Sequence, residues 1–458
     1  MKNGLAKGVC LSVNLKVYIE SLGCPKNLID AEVMSGLLTQ HEFQKTPSPH
    51  DADIIIVNTC GFIEDAKKES IDTMIELSQW KEHGDCKLFV VTGCLAERYA
   101  EELAAEMPEA DIIIGTGDFP QITEYIQRAL EGEKIVRYGN ANHEIPEGLP
   151  RILSTPGHTA YVKIAEGCDN HCTYCIIPKL RGQYKSRAMQ SILEEVESLV
   201  SKGVKEIILI AQDTTKYGLD LYGETKLAEL LKRIAEIDPI QWIRVLYCYP
   251  ENISEQLIQT IASEEKICKY LDIPIQHCND EILKRMNRRT TKAQILKNIE
   301  RMREKIPNIH IRTSLIVGFP GETEEQFKEL KQFVQTVKFD RLGVFTYSQE
   351  EGTPAANFPN QIDEEIKAKR REEIMLLQKE ISLQKNKEKI GHIYDIMIEE
   401  NLEKDHVYIG RTMYDAPEVD GVVYVYTDRT LKIGSLEKVR IIDALEYDLL
   451  GEMLSESC

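Results

Sequence analysis

Short apolar runs alternate with amphipathic stretches in the first part of the chain. The runs predict strands at residues 16–20, 53–57, 87–91 and 111–114. The middle runs are rich in Ile and Val, as buried parallel strands are. Apolar residues recur at helical spacing between the strands, in residues 27–40, 62–79 and 96–107. This alternation predicts an open parallel α/β sheet with helices on both faces.

The central part of the chain repeats the same alternation six times. Strands are predicted at residues 161–166, 206–212, 243–249, 270–276, 310–317 and 341–347. Helical patterns fill the gaps, as in residues 191–201, 227–237 and 291–304. Six strand–helix units are two short of a full eight-unit barrel. We therefore predict a partial (β/α)6 barrel, with its chemistry at the carboxyl ends of the strands.

The pattern changes near the end of the chain. Residues 361–390 are highly charged with an apolar helical spacing, which predicts a connecting helix. Beyond it, apolar and polar residues alternate in 392–399, 407–414, 421–426 and 438–444, which predicts a small antiparallel β-barrel.

Small barrels of this kind often bind oligonucleotides, but two observations weaken that interpretation here. Residues 391–458 contain fifteen Asp and Glu against six Lys and Arg, a balance of −9 that would repel a phosphate backbone. Five tyrosines could stack on bases, although alternate strand positions also fill a barrel core, and we expect the core role. They are Tyr394, Tyr408, Tyr414, Tyr424 and Tyr426.

Residues 133–160 hold Pro146, Pro150 and Pro156 among Gly, Asn, His and Ser, which predicts a linker rather than a structural element. We place this linker at residues 133–153. The predicted domains are an α/β domain at 14–132, the partial barrel at 154–384 and the small barrel at 386–455.

Composition narrows the class of protein. With 458 residues, 42% of them hydrophobic and 29% charged, the chain is typical of a globular protein with more than one core. No apolar run approaches the roughly 18 residues of a membrane helix, and the first residues lack a signal-peptide core, so we expect a cytoplasmic protein. The net charge of −19 argues against a broad basic surface for nucleic acid. Twelve cysteines in a reducing compartment favour metal or catalytic roles over disulfides.

Three cysteines follow the first strand of the predicted partial barrel. Cys168, Cys172 and Cys175, here the second trio, are separated by three and then two residues. Their soft thiolates suit zinc, copper(I) or iron–sulfur clusters. A zinc site normally needs a fourth ligand, and the only local candidate is His171, between two of the thiols. Three Cys at short spacing instead favour a cubic iron–sulfur cluster with one open iron, and a structural zinc site is the alternative.

Three more cysteines, here the first trio, follow three strands of the amino-terminal domain. Cys24, Cys60 and Cys94 come after the strands at 16–20, 53–57 and 87–91, each beside Gly or Pro. Ligands of open parallel sheets bind outside the carboxyl ends of the strands, so the thiols should converge on one crevice. We expect a second three-thiolate cluster there, with ordinary buried cysteines as the alternative. The remaining cysteines are interpreted as bystanders, namely Cys10, Cys86, Cys248, Cys268, Cys278 and Cys458.

The spacing of the second trio, with Tyr174 before its last Cys, resembles the radical S-adenosylmethionine (SAM) enzymes. In that family the open iron holds SAM, and an electron from the cluster cleaves it to a 5′-deoxyadenosyl radical. Together with the first trio and the small barrel, the chain resembles the radical SAM methylthiotransferases, which carry a second 4Fe–4S cluster and a barrel called TRAM. The resemblance implies two 4Fe–4S clusters and SAM as cofactors, with the six cysteines as metal ligands and Cys168, Cys172 and Cys175 also binding SAM through their cluster.

Within that family, residues 21–28, 167–182 and 415–421 resemble the branch that modifies a ribosomal protein. The tRNA-modifying relatives usually have Gln-Met-Asn where this chain has Pro25-Lys26-Asn27. A small departure is Ile29-Asp30-Ala31-Glu32, where the family more often has Val-Asp-Ser-Glu.

The resemblance implies transfer of a methylthio group to the β-carbon of an aspartate in the decoding-centre protein of the small ribosomal subunit, protein twelve. It also implies an electron donor, no membrane, no direct nucleic-acid substrate and no catalytic residue beyond the cluster ligands. The acidic barrel would complement a basic ribosomal protein. The alternatives are a tRNA adenosine methylthiotransferase and, from another class, a non-catalytic metal-binding scaffold.

Polar residues at other strand ends could contact SAM or shape its pocket. The candidates are Gln212, Asp213, Gln276, His277, Arg312 and residues 317–322.

Overall fold

The computed structural model describes residues 15–402 and 406–454. Its contacts divide the chain into two compact units, which are described separately. The first is Met1–Ile152 with Lys179–Arg181, and the second is Leu153–Pro178 with Gly182–Cys458. Over the described ranges, no helix combines the length and the apolar character needed to cross a membrane.

The first unit contains a six-stranded parallel sheet in the order β2-β1-β3-β4-β5-β6. Its strands are β1 (Lys16–Ser21), β2 (Gln44–Lys45), β3 (Ile54–Thr59), β4 (Leu88–Gly93), β5 (Ile112–Ile114) and β6 (Ile135–Arg137). Its helices are α1 (Pro25–Gln40), α2 (Glu64–Ser78), α3 (Trp80–His83), α4 (Cys94–Arg98), α5 (Ala100–Glu106) and α6 (Ile122–Leu130). Separate apolar clusters bury the two faces of the sheet, one including residues of α1 and α6 and the other residues of α2, α4 and α5. The predicted sheet with helices on both faces is confirmed.

Two details of the first unit differ from the prediction. The helix predicted at 96–107 is broken at Tyr99, whose backbone (φ −134°, ψ 36°) is not helical, so two short helices replace it. The predicted linker contains a strand, β6, which pairs in parallel with β5 and buries Ile135. Its apolar sequence is only Ile135-Val136, too short to stand out among polar neighbours.

The second unit begins with the predicted parallel sheet of six strands, in the order β14-β13-β12-β11-β10-β7. These are β7 (Thr159–Lys163), β10 (Glu206–Ile210), β11 (Trp242–Val245), β12 (Ile267–Asp272), β13 (His310–Val317) and β14 (Arg341–Thr346), with a short antiparallel pair, β8 (Ala165–Glu166) and β9 (Lys185–Ser186), after β7. The helices are α7 (Ile177–Arg181), whose last three residues belong to the first unit, α8 (Met189–Ser201), α9 (Leu219–Tyr222), α10 (Leu227–Ala235), α11 (Glu255–Ser263), α12 (Asp280–Arg285), α13 (Lys292–Lys305) and α14 (Glu324–Val337). The six-unit partial barrel is confirmed. The strands β8 and β9 were not predicted, because two residues are too few to show the alternation of a strand.

The long helix α15 (Glu364–Lys387) leads into a closed five-stranded barrel in the order β15-β16-β17-β19-β18. Its strands are β15 (Ile393–Leu402), β16 (Val407–Thr412), β17 (Val423–Tyr426), β18 (Leu436–Ala444) and β19 (Leu449–Met453). The fifth strand, β19, was not predicted. Its run is short, contains Gly451 and pairs in parallel with β17, a partner that local sequence cannot indicate.

The barrel tyrosines fulfil the predicted core role only in part. Tyr408 is buried in the barrel core and Tyr394 packs against that core. Tyr414 instead stacks on His310 of β13, with ring centroids 4.4 Å apart. Tyr426 is 43% exposed. Because their environments differ, the alternation of tyrosines alone does not define their function.

Buried ion pairs join the small barrel to residues at or near the amino-terminal ends of the parallel strands. Glu206, which begins β10, accepts hydrogen bonds from Arg244 at 2.9 Å and from Arg411 at 2.5 Å. Arg341, which begins β14, donates to Asp415 at 2.5 Å. These pairs lie at the opposite end of the strands from the second trio. The Arg341–Asp415 pair offsets one carboxylate of the acidic barrel sequence, whereas Glu206 offsets one of its arginines.

Candidate functional site

The first trio lies at the carboxyl ends of three adjacent parallel strands. Cys24 is the N-cap residue of α1, three residues beyond the end of β1, Cys60 follows β3 directly, and Cys94 begins α4 directly after β4. Since β1, β3 and β4 are neighbours in the sheet, the three thiols come to one edge, as predicted.

Glycines let the turns of the first trio approach one another closely. Gly23 has φ +86°, and a Cβ there would lie 2.7 Å from Cys60 Cβ and 2.9 Å from its Sγ. A Cβ on Gly61 would lie 2.9 Å from the carbonyl group of Cys94. Neither position has room for a side chain, so both glycines are required by this packing.

A buried arginine lies beside the first trio. Arg181 is 2% exposed and donates to Asp30 Oδ2 at 2.7 Å and also to Asn27 Oδ1. Burial raises the pKa of the Cys94 thiol, and the Arg181 guanidinium opposes that rise. Burial, followed by the neighbouring Cys94 thiol, raises the pKa of Cys60 to about 12. The arginine is therefore paired with a carboxylate while it faces the thiols.

The second trio lies on one loop whose ends are fixed by backbone contacts. Gly167 has φ +77°, and a Cβ there would lie 2.0 Å from the Gln183 carbonyl oxygen. The Cys168 N–H donates to the Gly182 carbonyl at 3.1 Å. These contacts close the loop against the residues leading into β9.

Inside the loop, the backbone turns tightly around the thiols. The Cys175 N–H donates to the Cys172 carbonyl at 3.0 Å, and His171 adopts a left-handed φ of +49°. Burial raises the pKa of Cys168 to about 11. Burial, followed by Cys172, raises the pKa of Cys175 well above its usual range.

Side chains from other strand ends contact this loop. Asn170 donates to Asp213 at 3.0 Å and accepts from Lys216 at 2.5 Å. The Tyr249 hydroxyl lies 3.8 Å from Cys172 Sγ, and the Arg288 guanidinium stacks on the Tyr249 ring, with Cζ 4.1 Å from the centroid. Sequence reasoning singled out Asp213 but missed Tyr249 and Arg288, because no motif or spacing marked either residue.

The donor atoms present suit iron–sulfur clusters better than single ions. Within residues 15–402 and 406–454, no group of three or more His, Cys, Asp or Glu is arranged to hold a single metal ion. His171, the fourth ligand considered for zinc, is exposed. A cubic cluster separates its thiolates more widely than one ion does, and each trio offers three soft donors in partly buried surroundings. The donor chemistry of each trio therefore fits an iron–sulfur cluster bound through three thiolates.

The other predicted pocket residues have several different roles. Gln212 donates to Glu166 at 2.6 Å, and Gln276 has a left-handed φ of +69° at the end of its strand region. His277 is fully buried, and burial lowers its pKa to about 3. Arg312 is paired with Asp272 at 2.7 Å.

In the Gly-rich turn at 317–322, Glu322 accepts from the Gly318 N–H at 2.6 Å. This carboxylate therefore organises the turn. Burial raises its pKa to about 7, although Arg370 opposes the rise.

The cysteines interpreted as bystanders are buried where they are described. Burial raises the thiol pKa of Cys86, Cys248, Cys268 and Cys278. Cys10 and Cys458 lie outside the described residues.

Comparison with known proteins gives consistent matches. Three family models match: Uncharacterized protein family UPF0004 at residues 16–115, the Radical SAM superfamily at 162–334 and the TRAM domain at 390–454. The chain is 53% identical over 442 residues to "Ribosomal protein uS12 methylthiotransferase RimO" of Clostridioides difficile, covering 96% of this chain and 99% of that relative. It is 56% identical over 435 residues to the protein of the same name from Desulforamulus reducens, covering 94% and 98%.

Solved structures show a similar fold at low identity. The radical S-adenosylmethionine methyltransferase TsrM from Kitasatospora setae matches with a TM-score of 0.55 and 14% identity, over 72% of this chain and 73% of that chain. The cobalamin-dependent radical enzyme OxsB matches with a TM-score of 0.52 and 14% identity, over 80% and 56%. At these identities the likeness concerns the fold alone.

Proposed function

The chain belongs to the RimO family of ribosomal protein uS12 methylthiotransferases, and on that premise we propose that it transfers a methylthio group to an aspartate β-carbon of protein uS12. The observation that carries this proposal is identity of 53–56% to RimO relatives over at least 94% of the chain. The matched length includes the amino-terminal domain, the radical SAM region and the TRAM barrel, so it covers the whole architecture and not one shared module.

Cys168, Cys172 and Cys175 would hold a 4Fe–4S cluster that binds SAM. Such a group supplies an electron that cleaves SAM to a carbon radical, which can remove hydrogen from an unactivated C–H bond. The chain provides three thiolates on a loop closed by backbone contacts, and a cluster held by these three alone would keep one iron free for SAM. Asn170 of this loop is hydrogen-bonded to Asp213 and Lys216, which follow the neighbouring strand β10. These bonds orient the loop.

Cys24, Cys60 and Cys94 would hold a second 4Fe–4S cluster. Three observations support this part of the proposal: the adjacency of their strands, the close approach at Gly23, and the buried Arg181 beside Cys94. A cation beside thiolates stabilises their charged form, which is the form that binds metal. We infer that this trio carries the sulfur that is transferred.

The proposed partners are protein uS12 as substrate and an electron donor, with no nucleic-acid substrate and no membrane. A ribosomal substrate places the enzyme in the cytoplasm. Because Asp415 and Asp420 of the barrel are buried near arginines, docking of a basic protein would depend on the acidic residues that stay exposed.

An anaerobic competition experiment tests the proposed function. The reconstituted full chain is incubated with SAM, reductant and sulfide while uS12 and an anticodon stem-loop RNA are both present, and mass spectrometry follows the methylthio group. We expect it on an aspartate of uS12. Modification of the RNA alone would contradict the proposal and indicate a tRNA methylthiotransferase.

Metal analysis of the same preparation provides a control. Two clusters predict a brown protein with about eight irons per chain. A colourless protein that binds zinc and does not cleave SAM would instead indicate a metal-binding scaffold.

A further inference from the structure

The segment before α13 is bonded to the loop of the second trio. The Thr173 N–H donates to the Met286 carbonyl at 3.1 Å, and its hydroxyl donates to the Arg285 carbonyl at 2.8 Å. The Asn287 side chain donates to the His171 carbonyl at 2.9 Å. Three hydrogen bonds, from three consecutive residues of one segment to His171 and Thr173 of the loop, fix the two segments to each other.

The next residue, Arg288, directs a guanidinium group into this contact. Its side chain is only 1% exposed. One nitrogen, Nη2, donates to the Pro274 carbonyl at 2.9 Å, and the group stacks on Tyr249 with Cζ 4.1 Å from the ring centroid. The hydroxyl of the same tyrosine lies 3.8 Å from Cys172 Sγ, so Tyr249 lies in contact with both the cation and a predicted ligand.

The positive charge of Arg288 is poorly balanced. The carboxylate nearest to it, Glu251 Oε2, is 4.0 Å from Nη2 and makes no hydrogen bond with it. Among the arginines that the structure describes, Arg288 is the one with two buried nitrogens, Nε and Nη1, that lack a hydrogen-bond partner. By contrast, the buried Arg244 and Arg411 both donate directly to Glu206.

A buried cation close to the ligands of a cluster affects electron transfer more than an exposed one would. The iron–sulfur group that the second trio would hold gains a negative charge on reduction, and a nearby positive charge in a low-dielectric site stabilises the reduced form more than the oxidised form. Net charge and hydrogen bonding around the sulfurs are among the factors that set the potential of such groups.

We propose that Arg288 is a positioning residue that raises the reduction potential of the cluster held by Cys168, Cys172 and Cys175, through its buried and unbalanced charge. This inference rests on the proposed function, because it requires a cluster at the second trio. It assigns Arg288 the task of making that cluster easier to reduce by the electron donor.

The test is a potentiometric titration of the second-trio cluster in the full chain. A background in which Cys24, Cys60 and Cys94 are replaced by Ala leaves only this cluster to titrate. Into it are introduced Arg288→Gln, Arg288→Lys and, as the matched control, Arg289→Gln, which removes the same charge from the exposed neighbouring residue. Iron content and the electron paramagnetic resonance spectrum are recorded for every variant with reductant titrated in steps.

We expect Arg288→Gln to reduce the equilibrium constant for one-electron reduction at least tenfold, which is a shift of 59 mV to a more negative potential. Arg288→Lys keeps the charge and should shift it less than threefold, and Arg289→Gln should leave it unchanged. An unchanged potential in Arg288→Gln with full iron content would overturn the inference. If Arg288→Gln loses iron, the neutral Arg288→Met in the same background decides: an unchanged potential there would overturn the inference, and a tenfold shift would support it.

The outcome separates the inference from the proposed function. If the parent background binds no iron, the assignment of the second trio fails and so does the proposed function. If the parent has a normal cluster whose potential does not change when Arg288 is replaced, only the role proposed for Arg288 is wrong.

Discussion

The two cysteine trios each have a buried arginine nearby, but the charges of these arginines are balanced differently. Arg181 beside the first trio is bonded to Asp30 at 2.7 Å, whereas Arg288 near the second trio has no carboxylate within hydrogen-bond distance. A carboxylate at hydrogen-bond distance offsets more of the field of an arginine than one at 4.0 Å, the distance of Glu251 from Arg288. The comparison indicates that the charge of the arginine is offset more fully at the first site than at the second.

The trios also differ in how they are assembled. The second is one loop of eight residues, Cys168 to Cys175, whereas the first collects single residues from the ends of β1, β3 and β4. Damage to the second trio should therefore be local, while the first depends on the register of the whole sheet.

The largest expected effect comes from removing a ligand of either trio. Cys168→Ala should abolish both SAM cleavage and methylthio transfer, because the cluster proposed at the second trio would bind SAM. Cys24→Ala should abolish transfer but leave SAM cleavage measurable. Iron should fall from about eight to about four per chain in each variant. The measurements are iron content, 5′-deoxyadenosine formation and mass spectrometry of uS12.

Cys86→Ala is the matched control for these ligand variants, since Cys86 is also a buried cysteine of the first unit. It should retain all the iron and both activities. Equal loss of both activities in Cys24→Ala and Cys168→Ala would contradict the division of labour between the trios.

A smaller effect is expected when the carboxylate that balances the charge of Arg181 beside the first trio is removed. Asp30→Asn leaves Arg181 without its carboxylate, so the first site should come to resemble the second. We expect a more positive potential for the first cluster and a loss of about 1–3 kcal/mol in the free energy of unfolding. Potentiometry and denaturant unfolding measure the two effects. Asp72→Asn, on the exposed face of α2, is the control that should change neither.

The acid stability of the second unit provides a third test, because the comparison assumes that its parallel strands stay intact. Burial alone would raise the pKa of Glu206, but the Arg411 and Arg244 cations outweigh it and lower the pKa from 4.5 to about 2. The stabilisation, about 3 kcal/mol, is thus present above pH 4.5 and is lost as the pH falls towards 2.

Glu206→Gln should remove this part of the pH dependence and destabilise the unit at neutral pH, since the buried Arg244 loses its carboxylate partner and the buried Arg411 keeps only Glu399. Unfolding free energies measured between pH 7 and pH 3 check this expectation. Glu236→Gln changes an exposed glutamate and should match the parent. A parallel pH profile in Glu206→Gln and the parent would show that Glu206 does not carry the effect.

The smallest expected effect concerns the tyrosine between Arg288 and Cys172. Tyr249→Phe keeps the ring that stacks on Arg288 but removes the hydroxyl 3.8 Å from Cys172 Sγ. Loss of this weak donor to the sulfur should shift the potential of the second cluster slightly negative, and less than Arg288→Gln does. Potentiometry of both variants compares them, with Tyr426→Phe at an exposed position as control. A larger shift in Tyr249→Phe would assign the effect to the hydroxyl and not to the cation.

Much of the fold follows from local sequence. The runs that became β3, β4 and β10 are fully buried strands of Ile, Val and Leu, and their apolar continuity predicted them. The short strands β6 and β19 were not predicted, because their formation depends on the strands beside them, β5 and β17. Hydrogen bonding to a neighbouring strand stabilises these strands, although their own apolar runs of two or three residues are too short to indicate them.

For the candidate site, the sequence by itself determined the six cysteines and the positions of the turns that carry them. Spacing marked Cys168, Cys172 and Cys175, and the positions of Cys24, Cys60 and Cys94 after strands followed from the alternation of runs. Only the tertiary structure decided which charges face those thiols. Arg181 and Arg288 are ordinary residues in the printed sequence, and their burial, and the presence or absence of a carboxylate partner, depend on distant segments. Electrostatic energy depends on the distance between charges and on the exclusion of water, and the local sequence specifies neither.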